Sequence, residues 1–176
     1  YHSAYLQPAS KRVNQAKSWT VANLQNELES FVAELAMLDL ETKETKKQKQ
    51  TAIYKSHQDL LSEVFDYIWL SGQWNDGMTD IFRQILLSPT VDSMAQQLIV
   101  SAITLGAMNL FDFNKFRLLV DVYRESSDEQ VKQRALVGWV LSIGKYRYIL
   151  YPEQKTLVDE LLQSDAVCEE LVELQM

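Results

Sequence analysis

The sequence predicts an all-α protein, an α-α superhelix in which about four antiparallel helix hairpins stack as a right-handed solenoid. Three observations predict it. Five glycines and three prolines in 176 residues leave long stretches without a breaker, which suits helices and not a sheet-rich fold with many turns. Apolar residues recur at steps of three and four rather than two. Finally, Gly72-Gln73-Trp74-Asn75 followed by Phe82-Arg83 recurs as Gly106-Ala107-Met108-Asn109 followed by Phe116-Arg117. The offset is 34 residues, the size of one helical hairpin.

At 47% hydrophobic, a chain of this length buries one core, so a single domain over residues 19–176 is expected. Residues 1–18 are weakly patterned, interrupted by Pro8 and Ser10, and read as a leader or the remnant of an upstream segment. The start at Tyr1 rather than Met and the abrupt stop of the last helix at Met176 point to a piece of a longer protein.

From Trp19 the pattern is clear. Leu24, Leu28, Phe31, Leu35 and Leu38 form one stripe of a helix whose other face carries Glu27, Glu29 and Glu34, and Ser18 or Thr20 can cap its start. After Leu40 the stripe gives way to a lysine-rich run over 41–50 with nothing to bury, expected as a solvated helix end or projecting loop. The lysines suit a helix C-terminus, where the backbone dipole favours cations. The next helix, about 52–71, buries Ile53, Leu60, Leu61, Val64, Phe65, Ile68 and Trp69. It ends at Gly72, which tolerates the left-handed conformation.

Residues 79–87 and 92–106 form a second hairpin around Ser88-Pro89-Thr90. Residues 113–125 and 128–143 form a third around Ser126-Ser127-Asp128, and 153–163 with 166–176 a fourth around Ser164-Asp165. Each connector holds a Ser or Asp able to cap the helix after it. The segment 93–111 carries no charged residue and approaches the length of a membrane span. Its Gln96, Gln97, Ser101, Thr104 and Asn109, with Asp92 and Asp112 flanking, identify instead a central solenoid helix covered on all sides.

The short polar elbows, followed by Leu98-Ile99-Val100-Ser101-Ala102-Ile103 and Ala135-Leu136-Val137-Gly138-Trp139-Val140, resemble HEAT or armadillo repeats over about residues 52–176. The resemblance implies a more buried second helix in each pair, with Ser101 and Gly138 as the small residues where units pack closely and Gly106 and Gly144 as helix ends. The Asp and Arg that often join units of that family have no regular counterparts here. A tetratricopeptide array is the rival: Gly72, Trp74 and Pro89 fall at spacings like its glycine, tyrosine and proline. Phe111, Lys115 and Tyr123 break that match in the next unit.

The common signatures of chemistry are missing. The chain has no HExxH, glycine-rich phosphate loop or G-x-S-x-G elbow, and its histidines are His2, in the leader, and His57, on the polar shoulder of a helix. Cys168 is the only cysteine, which excludes an internal disulfide and a cysteine-based zinc cage. Beside Glu169 and Glu170 it reads as a small packing side chain rather than an activated thiol. Adjacent acids such as Asp128-Glu129 and Asp159-Glu160 point about 100° apart on a helix and do not converge on one atom. No catalytic, cofactor or metal residues are expected, and the chain reads as a non-enzyme. Trp19, Trp69 and Trp139 read as core, and Asp76-Gly77 as a turn.

Charge is banded. Residues 113–152 hold seven basic and four acidic side chains, against two and seven in 51–112 and one and seven in 153–176. The bands help neighbouring units attract, or offer Arg117, Arg124, Lys132 and Arg134 to an anionic ligand. The linker Lys145-Tyr146-Arg147-Tyr148-Ile149-Leu150-Tyr151-Pro152 alternates cations and aromatics, which can grip a peptide or stack bases. Lys145, Tyr146, Arg147, Tyr148 and Tyr151 therefore join the candidate partner contacts.

The favoured function is a non-catalytic scaffold or interaction module for a protein or peptide partner. A nucleic-acid binder is disfavoured by the formal charge of −7, and a structural spacer needs no site at all. Val167, Leu171, Val172 and Leu174 on the last helix predict self-association through an open C-terminal end. No Asn-x-Ser/Thr acceptor or export signal is present, which leaves the cytoplasm as a default compartment only.

Overall fold

The structure, a computed structural model, describes residues 19–40, 43–144 and 147–174, with the side chains of residues 39, 43, 44, 147 and 148 outside the description. The expected leader, residues 1–18, lies outside it as well. A 3-10 turn at Val21–Asn23 leads into α1 (Leu24–Met37), and a second one follows at Leu38–Leu40. Then come α2 (Lys43–Trp69), α3 (Asp76–Leu87), α4 (Ser93–Asn109), α5 (Phe113–Glu125), α6 (Glu129–Leu141), the short α7 (Arg147–Leu150), α8 (Pro152–Leu161) and α9 (Asp165–Glu173). No strand occurs among the described residues, so the fold is all-α. Nor is any described helix long and apolar enough to cross a membrane.

Side-chain oxygens fix the interior helix starts. Asn75 Oδ1 accepts from the Met78 N–H at 2.9 Å and Asp92 Oδ2 from the Ala95 N–H at 3.0 Å. Asp112 Oδ1 accepts from the Asn114 N–H at 2.9 Å, and Asp128 Oδ1 from those of Gln130 and Val131 at 2.9 and 3.0 Å. Each contact satisfies a backbone donor that the first helical turn cannot pair internally. The caps of alternate helices are evenly spaced: Asn75 to Asp112 is 37 residues and Asp92 to Asp128 is 36.

The two copies of the 34-residue motif do not fall at equivalent places in the helices. Gly72 and Asn75 lie outside α2, whereas Gly106 and Asn109 lie inside α4. The mismatch of three residues is nearly one helical turn, so Phe82 and Phe116 still both reach the core, each with 0% exposure.

The helices pack in two rows. α4 lies against α2 on one side and α6 on the other, α5 lies against α3 and α8, and α5 and α6 join the rows. Between them sits a continuous core that includes Ile68, Phe82, Ile85, Ile99, Ile103, Leu119, Leu136 and Trp139. Full burial of each large apolar side chain contributes about 1.5–3 kcal/mol before chain entropy is counted.

Several expectations from the sequence are corrected. The 43–50 run is the start of α2, not a loop or a helix C-terminus. Lys, Glu and Gln lose little rotamer freedom in a helix, and a helix anchored by its second half propagates outward without burial. Gly72 does not close α2 in a left-handed conformation, since no described glycine has positive φ. The Ser71 hydroxyl instead returns to the Ile68 carbonyl at 2.6 Å. Trp69 is 40% exposed while the turn residue Trp74 is 6% exposed. Trp74 stacks on Phe82 with centroids 4.6 Å apart and donates its indole N–H to Ser71 Oγ at 2.8 Å. Gly106 is not a helix end: a Cβ there would come within 3.3 Å of the Ile68 carbonyl, so it marks where α4 crosses the end of α2.

The closest approach is between α4 and α6. A Cβ on Gly138 would fall 2.4 Å from Thr104 Oγ1 and 3.2 Å from a Leu119 methyl. We expect Gly138→Ala to destabilise the fold by about 1–3 kcal/mol through overpacking, read as the midpoint of urea unfolding. Adding Thr104→Ala should recover part of that loss. If the single variant unfolds at the wild-type midpoint, the close approach is not a constraint.

At the other end α1 is held on α2 by an aromatic stack. Phe31 and His57 lie parallel at 4° with centroids 3.7 Å apart. His57 is 8% exposed and neither ring nitrogen has a hydrogen-bond partner, so it is not the polar-shoulder residue the sequence indicated. Burial lowers its pKa from the ordinary 6.5, against the opposing pull of Asp92. The folded state thus binds the proton more weakly than the unfolded chain, and the associated stability, full above pH 6.5, declines as pH falls below it. We expect His57→Phe to flatten the stability profile below that pH, measured as unfolding midpoint against pH. An unchanged slope would refute this role for His57.

Candidate functional site

Buried titratable groups are the first place to look for chemistry. Lys115 has 0% exposure and Asp112 2%. The ammonium donates to the carbonyls of Ser71 at 3.2 Å and Gly72 at 3.1 Å and lies 5.2 Å from the Trp74 ring centroid. Burial brings its pKa down to about 8, with the Asp112 charge acting in the opposite direction. Asp112 accepts from the Trp74 N–H at 2.7 Å while capping α5 through its other oxygen. Asn114 Nδ2 donates to the Trp74 carbonyl at 2.8 Å and Gln73 Nε2 to that of Phe111 at 2.8 Å.

With Gly106 packed against the ammonium, this is a clasp between two turns with no room for a substrate. Lysine in the middle of the apolar stripe of α5 was its sequence signal. Asp112→Ala leaves the Trp74 and Asn114 donors unpaired and the buried ammonium without its counter-charge. We expect a loss of about 2–4 kcal/mol by chemical denaturation, the sum of two modest desolvation penalties. Asp112→Asn should lose less. Equal losses for the two variants would place the effect elsewhere than in the hydrogen bonds.

Arg117 and Arg124, seven residues apart on α5, share a face with Asp121 and Arg83, but they are met there by acids rather than left as a free basic patch. Arg117 of α5 pairs with Asp76 at the start of α3 at 3.1 Å, and Arg124 reaches Glu160 of α8 at 3.9 Å. Lys132 of α6 pairs with Glu170 of α9 at 3.3 Å and lies over the Tyr123 ring, whose phenol burial and then Glu170 push up to about 12. Arg83 of α3 meets Glu125 of α5 at 2.6 Å. Each of these pairs joins one helix to another. Tyr151 is half-buried, edge-on to Phe111 at 4.8 Å. Lys145 and Tyr146 lie outside the described residues, as do the side chains of Arg147 and Tyr148.

Arg134 is placed differently. Its recorded contact is a hydrogen bond from Nη1 to Ser101 Oγ at 3.0 Å, and it lines a groove of about 720 Å³ between α4 and α6. The two helices face each other in register. Gln97 Nε2 donates to Gln130 Oε1 at 3.0 Å, Ser101 faces Arg134, and Thr104 meets Gly138.

Beyond them the walls become apolar with Leu105 and Met108 on α4 and Val137 and Leu141 on α6, exposed by 42, 43, 38 and 52%. The groove is graded along its length, from amide through guanidinium to hydrocarbon. Arg134 was legible in the sequence; the apolar walls were not. Leu105 and Met108 lie in a helix with apolar residues on every side, where periodicity cannot tell an exposed one from a buried one.

Among the described residues no group of three or more His, Cys, Asp or Glu side chains is placed to hold a metal ion. Cys168 is half-buried, with its thiol near the Leu162 carbonyl at 3.4 Å. Compared with known proteins, the chain matches no family model, no curated protein and no solved structure. Its function is read from its own geometry.

Proposed function

We propose that this chain is a non-catalytic helical-repeat module that docks a protein or peptide partner in the groove between α4 and α6. The observation that carries the reading is the groove itself: four exposed large apolar side chains in one continuous wall, next to an arginine. Contiguous exposed apolar surface rimmed by polar groups is the usual mark of a recognition site. The architecture we propose is a HEAT-like or armadillo-like superhelix, with the tetratricopeptide arrangement as the rival. Its support is the pair of helix rows, the cap spacing of 36 to 37 residues and the small residue Gly138 at the tightest packing.

A second reading, a structural spacer, is favoured by one observation. Arg83, Arg117, Arg124 and Lys132 are all spent on pairs between helices. That also weighs against a nucleic-acid interface, which needs free cations along one face.

The test is affinity capture with the chain as bait, with and without nuclease. We expect a nuclease-resistant partner that is lost with Val137→Asp, a surface change that leaves the unfolding midpoint within about 0.5 kcal/mol of wild type. Retention of every partner by Val137→Asp, or recovery of none by the wild type, would favour the spacer reading.

A further inference from the structure

The groove also carries information about what fills it. We infer that its ligand is an amphipathic helix of about three turns that sets apolar side chains against Leu105, Met108, Val137 and Leu141 and a carboxylate against Arg134. The inference rests on the docking reading above and names the chemistry of the partner.

Length comes from the lining. On α4 the wall runs from Gln97 to Met108 and on α6 from Gln130 to Leu141, eleven residue steps each, or about 16 Å at 1.5 Å per step. Secondary structure comes from the walls. Both are helices whose backbone groups are paired internally, so they offer no edge to an extended peptide. Along the apolar half of this floor, from Leu105 to Leu141, a strand would find no side-chain partner for the N–H and C=O groups it turns inward, while a helix brings its bonds with it.

The carboxylate comes from Arg134. The neighbouring cations Arg117, Arg124 and Lys132 each have an acidic partner. Among the described residues Arg134 meets only the neutral Ser101 hydroxyl, and it is exposed beside hydrocarbon with no carboxylate against it. A basic ligand is repelled there, and an acidic one gains a charge-assisted bond. The formal charge of −7 over the whole chain does not cancel this preference, because at physiological salt fields are screened within about 8 Å and the nearest charge decides. Along α6, Arg134 precedes Val137 by three residues and Leu141 by seven. The ligand's acid therefore falls one to two turns from its apolar contacts.

Selection of displayed random twelve-residue peptides on the intact chain, at 0.15 M salt, tests the inference. The expected consensus has two or more large apolar residues at helical spacing and an Asp or Glu one to two turns away. A synthetic peptide of that consensus should lose at least tenfold in affinity on Arg134→Glu and on Val137→Asp. Replacing its acid by lysine should restore binding to Arg134→Glu.

A basic or acid-free consensus that loses binding on Val137→Asp but ignores Arg134→Glu would overturn the inference and leave the docking reading standing. No enrichment, or enrichment indifferent to both substitutions, would overturn both.

Discussion

The clasp between Asp112 and Lys115 and the turn before α3 is the constraint on which the placement of the helices depends. The carbonyls of Ser71 and Gly72 lie beyond the last turn of α2, where no helical N–H follows to reach them, so they take donors from elsewhere. Lys115 supplies them from α5, and Asp112 returns the exchange by accepting from Trp74. Two turns separated by about forty residues are thereby held as one junction. The rest follows from it: α5 starts where Asp112 caps it, α4 crosses so close that a Cβ at 106 would crowd the Ile68 carbonyl at 3.3 Å, and Trp74 is pressed onto Phe82. A buried ammonium is tolerated because two of its three N–H groups have carbonyl acceptors, the Trp74 ring lies near it and the Asp112 charge favours the protonated form.

Much of this was legible in the residues. Helix class followed from three-and-four periodicity, and the elbows at 88–90 and 126–128 from Ser, Pro and Asp. Gly138 was singled out as a place of close packing, and it is one. What was misread has common physical causes. The repeated Gly-x-x-Asn pattern invited a 34-residue period because an error of one turn preserves which side chains face inward. Trp69 and Trp74 exchanged roles because a tryptophan in a turn can be buried by a distant contact, here Phe82 and the ammonium of Lys115. His57 reads as polar in sequence, and only the tertiary stack with Phe31 explains why it is inside.

The candidate contacts divide along the same line. Local composition identified a band of cations. It gave no means of telling Arg117, Arg124 and Lys132, which meet carboxylates on another helix, from Arg134, which meets none among the described residues, since each pairing spans thirty-six to forty-one positions along the chain. Banding of charge along the sequence thus encodes helix adjacency for Arg117, Arg124 and Lys132. Arg134 is the remainder after that pairing, and its place beside exposed leucine and methionine gives it a different meaning.

The tight contact at Gly138 and Thr104 has a thermodynamic consequence for recognition. No methyl group fits between Gly138 and Thr104, and α4 and α6 also pack against α2 and α5, so sliding one past the other would disturb the core that holds the groove walls. For a segment docking as proposed, the receptor backbone would have little order to gain and its exposed side chains some; the larger ordering cost would fall on the incoming segment, so its affinity would depend on how far it is already helical in solution.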